Sequence, residues 1–472
     1  ALMELGPEGE LVATAQQGVL TMASAFDVFM TSADKADKLG AVGAAIGAVS
    51  QIMAANSKAQ IAEIDKQIEA EKKRDGKSAE SIQKIKAKFI IYALLIQVSL
   101  AFILIEIPFI SSFFDVMSMA VESLRLSAIE GSSFVFGYLG GGEAPFEVLN
   151  NQNLPIFAFT FLPMLIFLSA LSALLWHWKI LPLLIKVLAK LFERPLDAKG
   201  PIGLAATANI FLGQLEAPLL IKPYLNKMNQ RDLLIIMTVG MSTIAGSVMV
   251  LYITWLDNKF SGVIGHFLTA SILSVPAAIM FSNILIPSAQ TEFKTAKEDL
   301  KMYESSMDAI SVGTKDGLNM FLSVIASLIV FLSLVALADF ILGIFPNVYG
   351  EPISLQRIAA IIFAPIAWLM GIPFAEIIPA GNLLGTKTIF NELIAFNDLR
   401  NLDANLLSER SQLIMLYGIC GFANISSVGI LLGGLSAICP DIRGTLLKIA
   451  FRALFAATLA SCLTGTVVSL FI

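Results

Sequence analysis

The chain has 472 residues, of which 56% are hydrophobic and 15% charged, with a formal net charge of −5. Soluble globular domains carry about 25% charged residues, so the composition excludes an ordinary soluble enzyme or binding module, and no long basic tract points to nucleic acid. Cys420, Cys439 and Cys462 fall in or beside apolar runs without CxxC or Cys/His spacing and read as packing residues. His177 and His266 lie far apart and show no metal-ligand pattern.

Residues 1–87 are the most charged part of the chain. The stretch "AQIAEIDKQIEAEKKRDGKSAESIQKIKA" predicts a solvated helix, and "LGAVGAAIGAVSQIMAA" a short core or oligomer-facing helix. No basic start, apolar middle and small-residue cleavage site mark a secretory signal here. "KKRDGKSAES" resembles segments of phage tail tape-measure proteins. The whole of 1–87 is read as a soluble-looking helical extension or fusion.

From residue 88 onward, apolar runs long enough for a bilayer core follow at 89–107, 155–178, 231–256, 264–287, 318–345, 411–438 and 446–472. They are continuous rather than alternating, which predicts an all-α polytopic membrane protein and not a barrel. Lys84, Lys86 and Lys88 before the first run, and Lys179, Lys186, Lys190, Arg194 and Lys199 after the second, place both flanks in the cytoplasm. The segment between those two runs is then expected outside. Continued alternation puts 288–317 and the turn at 439–444 inside, with the N-terminus inside and the C-terminus outside.

Residues 200–225 and 372–399 do not fit this alternation. Both are apolar but interrupted by Gly, Pro and charge, and each is predicted to be a re-entrant helical hairpin, since irregular backbone at membrane depth is tolerated only where protein or a cavity surrounds it. Glu216 lies in the first and Glu392 in the second. The following runs contain "GMSTIAGSV" (240–248) and "GFANISSVG" (421–429), in which Gly240 matches Gly421, Thr243 matches Asn424 and Ile244 matches Ile425. With one hairpin entering from each side, the pattern is an inverted repeat. Secondary transporters are commonly built this way, with the site where discontinuous helices of both halves meet. A carboxylate costs roughly 3 kcal/mol to insert at a helix centre, so it persists where it faces water, a partner or a ligand. The fold class expected is an inverted-repeat transporter with two re-entrant hairpins and discontinuous helices.

"ANIFLGQLEAPLLIKPYL", "MSTIAGSV", "FAPIAWLMGIP" (363–373), "GTKTIFNELIAF" (385–396) and "CGFANISSVGILLGG" (420–434) resemble, in order, the signature segments of the concentrative nucleoside transporters. The resemblance spans about 88–472. It implies a multi-pass importer of the cell inner membrane, a homotrimer that moves nucleosides with a coupling cation by an elevator-type motion. By that likeness the domains are scaffold spans at 88–180, a first transport repeat at 181–292, a cytoplasmic linker and scaffold span at 293–345, and a second transport repeat at 346–472. The motif match assigns Gln214, Leu215 and Glu216 to the nucleobase side. Glu392, Asn424 and Ser427 fall to the ribose hydroxyls, and Phe422 packs on the sugar. It assigns the cation to the side chains of Asn209 and Thr243 and the carbonyls of Leu212 and Ile244. Sodium is the expected ion and a proton the alternative. Leu215 departs from the family, which commonly has Ser or Thr there. A rival class is a membrane-embedded hydrolase with Glu216 and Glu392 as acid and base, although no metal cluster, nucleophile elbow or His partner accompanies them.

Overall fold

The computed structural model describes residues 87–472 except 148–155, 194–195, 197, 199, 257–258, 261, 288–290, 292–301, 348–349, 351 and 404. The chain divides into units at residues 1–82 and 83–472, and every described residue belongs to the second. The helical extension expected over 1–87, with its phage-tail-like segment, lies outside the described residues save Ala87, as do Lys84, Lys86 and, in the expected cytoplasmic stretch, residues 288–290 and 292–301.

In chain order the helices are α1 (Ala87–Glu106), α2 (Pro108–Phe136), α3 (Phe157–Thr160), α4 (Met164–His177), α5 (Ile180–Glu193), α6 (Pro201–Ala208), α7 (Glu216–Leu219), α8 (Lys222–Leu225), α9 (Gln230–Ser242), α10 (Gly246–Leu256), α11 (Val263–Leu285), α12 (Ser306–Leu342), α13 (Leu355–Leu369), α14 (Ile377–Ile389), α15 (Glu392–Asn401), α16 (Glu409–Ile419), α17 (Ile425–Ile438) and α18 (Arg443–Val468). No strand occurs among the described residues. Among the described residues, six stretches are long and apolar enough to cross a membrane: Phe89–Glu106, Phe157–His177, Gln230–Leu256, Val263–Leu285, Ser306–Leu342 and Pro440–Val468. The chain is a polytopic α-helical membrane protein.

Local sequence sets the helix boundaries. Asn229, Ser305, Ser354, Asn391, Ser408 and Asn424 each cap a helix, their side chains accepting the backbone N–H three residues on. Such caps satisfy donors that a helix leaves orphaned at its start. The run 231–256 breaks between Ser242 and Gly246, and 411–438 breaks between Ile419 and Ile425. Residues 200–225 form α6, an irregular turn and the short α7 and α8, while α14 and α15 are parted only by Phe390 and Asn391. α5 and α13 lie outside the runs and hairpins read from the sequence, and so does α2, which occupies the segment expected as an outward connection. Asp115, Glu122, Arg125 and Glu130 interrupt its hydropathy, which hides it from an apolar-run reading, and Pro108 at its first turn starts it.

Two helix pairs pack closely through glycines four residues apart. On α12, a Cβ at Gly313 would stand 2.7 Å from Cα of Ala170, and one at Gly317 2.6 Å from Cα of Ile166, both on α4. On α14, Gly381 and Gly385 sit in the same way on Ala360, Ala364 and Ala359 of α13. In lipid, where no hydrophobic force draws helices together, such close backbone approach supplies the attraction. A separate aromatic core joins the two repeats: the Tyr252 and Phe396 rings lie 4.8 Å apart, and Phe267 packs 5.2 Å from Phe396.

Candidate functional site

The breaks of the two discontinuous helices touch. Gly421 has φ +121°, and a Cβ there would stand 2.7 Å from the carbonyl oxygen of Ser242 and 3.2 Å from that of Met241. Both the backbone conformation and the contact require glycine. The end of α9 therefore lies against the start of the second break, and polar side chains gather on either side of this contact.

On the second-repeat side stands Glu392, 6% exposed, at the first turn of α15. Its Oε1 accepts the hydroxyl of Tyr252 at 2.7 Å, and its Oε2 accepts Nδ2 of Asn424 at 2.8 Å. Asn424 works twice, because its Oδ1 also accepts the backbone N–H of Ser427 at 2.7 Å and the hydroxyl of Ser426 at 2.6 Å. The carboxylate thus sits beside the N-terminus of α17, where unsatisfied N–H groups favour negative charge. Phe422, half-buried, lies within the break itself. The structure brings Glu392, Asn424 and Ser427 together. Tyr252 was missed, since a tyrosine inside an apolar run reads as core. Lys387, fully buried on α14, was missed as well, although a lysine in an apolar hairpin was a visible signal.

On the first-repeat side, Asn209 is fully buried at the end of α6. Its Nδ2 donates to the Ala205 carbonyl, and its Oδ1 has no partner. The same holds for Oε1 of Gln214, which is 9% exposed. Both line Gly240, where a Cβ would stand 3.1 Å from Cβ of Gln214 and 3.6 Å from Oδ1 of Asn209. Thr243, buried at the C-terminal end of α9, donates its hydroxyl to the Val239 carbonyl at 3.0 Å, leaving its lone pairs free to accept. The Gly246 N–H donates to the Phe211 carbonyl at 3.0 Å and ties the hairpin turn to α10. Ile244 is fully buried in the break, and Leu212 is half-buried in the turn. Buried, unpartnered acceptors are rare and call for an ion, a water or a ligand. A neutral set of amide, hydroxyl and carbonyl oxygens fits a hard monovalent cation.

Glu216 faces a different surface. Its carboxylate folds over Gly213, where a Cβ would stand 2.9 Å from its Cδ. It lines a partly open cleft shared with Ser169, Ser172, Ser247, Tyr303 and Asp316. Burial, followed by the nearby Asp316, Glu216 and Asp308 carboxylates, pushes the Tyr303 phenol up to about 12, so it stays a neutral donor at working pH. Leu215 turns the other way: its side chain lies on Gly434 of α17, where any Cβ would collide with its methyl groups.

Three family models match the chain: "Na+ dependent nucleoside transporter N-terminus" over 79–139, "Nucleoside recognition" over 158–259 and "Na+ dependent nucleoside transporter C-terminus" over 266–469. A nucleoside permease of Helicobacter pylori, NupC, is 31% identical over 82% of this chain and 92% of its own length. The uncharacterized transporter YutK of Bacillus subtilis is 34% identical over 84% of this chain and 95% of its own. A structure of CNTnw in an inward-facing substrate-bound state superposes with a TM-score of 0.75 at 30% identity, over 82% of this chain and 92% of that one. A variant of CNTnw in an outward-facing state gives 0.74 with the same coverage. The family consists of transporters and not enzymes, which removes the hydrolase reading of Glu216 and Glu392. The chain belongs to the concentrative nucleoside transporter family.

Proposed function

We propose that this protein is a sodium-coupled symporter that imports nucleosides by alternating access. The observation that carries the reading is the contact of the two helix breaks, with the Glu392, Asn424 and Tyr252 cluster on one side and the open acceptors of Asn209 and Gln214 on the other. A dehydrated carboxylate flanked by an amide and N–H groups suits the vicinal hydroxyls of a ribose, which donate to Glu392 and accept from Asn424 and the N-terminal amides of α17. The Ser427 hydroxyl can donate or accept, and Phe422 offers an apolar face for the sugar. Gln214 presents an amide that complements a base edge, while Glu216 faces the separate cleft with Tyr303 and Asp316. An analogue lacking a ribose hydroxyl would leave these polar groups unpaired, which is the basis of strong discrimination.

Asn209 and Thr243, with the carbonyls of Leu212 and Ile244, would hold the coupling ion. Sodium would bring its inward gradient to bear on nucleoside entry. Asn and Thr do not titrate, which favours sodium over a proton. Both half-sites lie on the hairpin-bearing repeats, and the tightly packed α4–α12 pair lies apart from them in sequence, which supports an elevator in which the repeats move as one body against a scaffold. The bacterial permeases and transporters among its relatives support a cell inner-membrane setting.

Uptake of labelled uridine and adenosine into proteoliposomes tests this. An inward sodium gradient should drive accumulation where potassium does not, and Asn209→Ala or Thr243→Ala should raise the sodium concentration for half-maximal uptake about tenfold, the loss of roughly one charge-assisted contact. Uptake indifferent to sodium would overturn the assignment.

A further inference from the structure

Lys387 has no part in the site as described so far, yet its position is costly. The side chain is 0% exposed on α14, and its Nζ has one acceptor, the Gly418 carbonyl at 3.5 Å. Among the described residues it forms no ion pair. An ammonium taken out of water without a partner is strongly disfavoured, so its surroundings must compensate. Gly418 is the penultimate residue of α16, whose last carbonyls have no intrahelical donor and form the negative end of the helix dipole. Glu392 begins α15 on the far side of the short break at Phe390 and Asn391, and its two oxygens are held by Tyr252 and Asn424.

The first repeat handles the matching place in another way. α9, like α16, is the first half of a discontinuous helix, and its C-terminal end faces Asn209 and Thr243, which bring oxygens and no fixed positive charge. In one repeat the negative helix end meets a lysine; in the other it meets open acceptors.

We propose that Lys387 is the tethered cation of the second repeat, its ammonium doing for the end of α16 and the Glu392 carboxylate what an exchangeable sodium ion does for the end of α9. The proposal rests on the sodium reading above. The Lys387 ammonium supplies a positive group beside Glu392 without exchange, so that the carboxylate can accept ribose hydroxyls; the other half is completed only when the ion arrives. Lys387 is a positioning residue that acts through Glu392.

Purified protein in detergent, followed by thermal unfolding and by direct uridine binding, tests the assignment with Lys387→Met, Lys387→Arg, Glu392→Gln and the Lys387→Met/Glu392→Gln double variant. Lys387→Met should weaken uridine binding at saturating sodium at least tenfold. The rise in Tm on adding sodium without nucleoside should persist, and Lys387→Arg should recover most of the binding. In the double variant the Tm should lie above the sum of the two single losses, because both halves of a coupled pair are removed. If Lys387→Met alone does not fold, recovery of a folded, monodisperse protein in the double variant supports the coupling, and a double variant that also fails overturns it. Wild-type uridine affinity in Lys387→Met, or strictly additive Tm losses, would also overturn it. An unaltered protein whose Tm does not respond to sodium would instead overturn the sodium reading and leave the Lys387–Glu392 coupling to stand on the cycle.

Discussion

Leu215 shows how a single side chain can mislead when only its sequence neighbours are known. Between Gln214 and Glu216, in a motif where the resembling family places Ser or Thr, it reads as an altered contact to the base. In the fold its methyl groups fill the space over Gly434 on α17, far along the chain. The residue pins the hairpin turn to α17, with Gln214 turned to Gly240 and Glu216 to the cleft. Size complementarity makes this testable. Gly434→Ala inserts a methyl group into an occupied space and should cost about 1–3 kcal/mol, read as a fall in Tm together with weaker uridine binding. Leu215→Ala placed on that background should recover most of both. Failure of the second change to recover the first would show that the two residues do not share the space.

At the scale of elements, the helix pairs follow from glycine spacing more than from hydropathy. α12 is a 37-residue helix whose most apolar window is unburied in the single chain. Its attachment to α4 runs through Gly313 and Gly317, each in backbone contact with the partner helix. Gly317→Leu should force the pair apart, lowering Tm by several degrees and cutting uptake, while the same change at Gly429, where a Cβ meets nothing within 4 Å, should leave stability near that of the parent. Equal losses at both positions would mean that the close approach does not hold the pair. A complementary device secures α15. Lys259 Nζ donates to the carbonyls of Leu399, Arg400 and Leu402 at 2.6, 3.3 and 3.3 Å, so a cation from the connection after the first discontinuous helix closes the C-terminal end of the second hairpin.

At the scale of the whole molecule, the unburied apolar face of α12 carries Leu322, Ile329, Leu337 and Phe340, each at least half exposed in one protomer. Lipid or further copies of the chain would cover such a face. The homotrimer expected from the family resemblance predicts a native mass in mild detergent three times that of the protomer, and charged substitutions at Ile329 and Leu337 should shift it toward the monomer. A monomeric mass for the unaltered protein would refute the trimer and assign the face to lipid.

The sequence by itself determined the class and the family, and it pointed to the polar residues inside the apolar runs. Membrane burial makes apolar runs long and makes every intramembrane carboxylate, amide and lysine conspicuous, and the paired Gly-x-x-polar-Ile segments revealed where the helices break. It also placed Glu392 with Asn424 through their motifs. Only the tertiary structure decided which groups complete each other. Tyr252 is 140 residues from Glu392 in the chain, Gly421 meets Ser242 across the two repeats, and Leu215 meets Gly434. These pairings depend on how two discontinuous helices cross. Hydropathy and local spacing carry no record of that crossing, because each contact joins residues whose immediate neighbours would look the same without it.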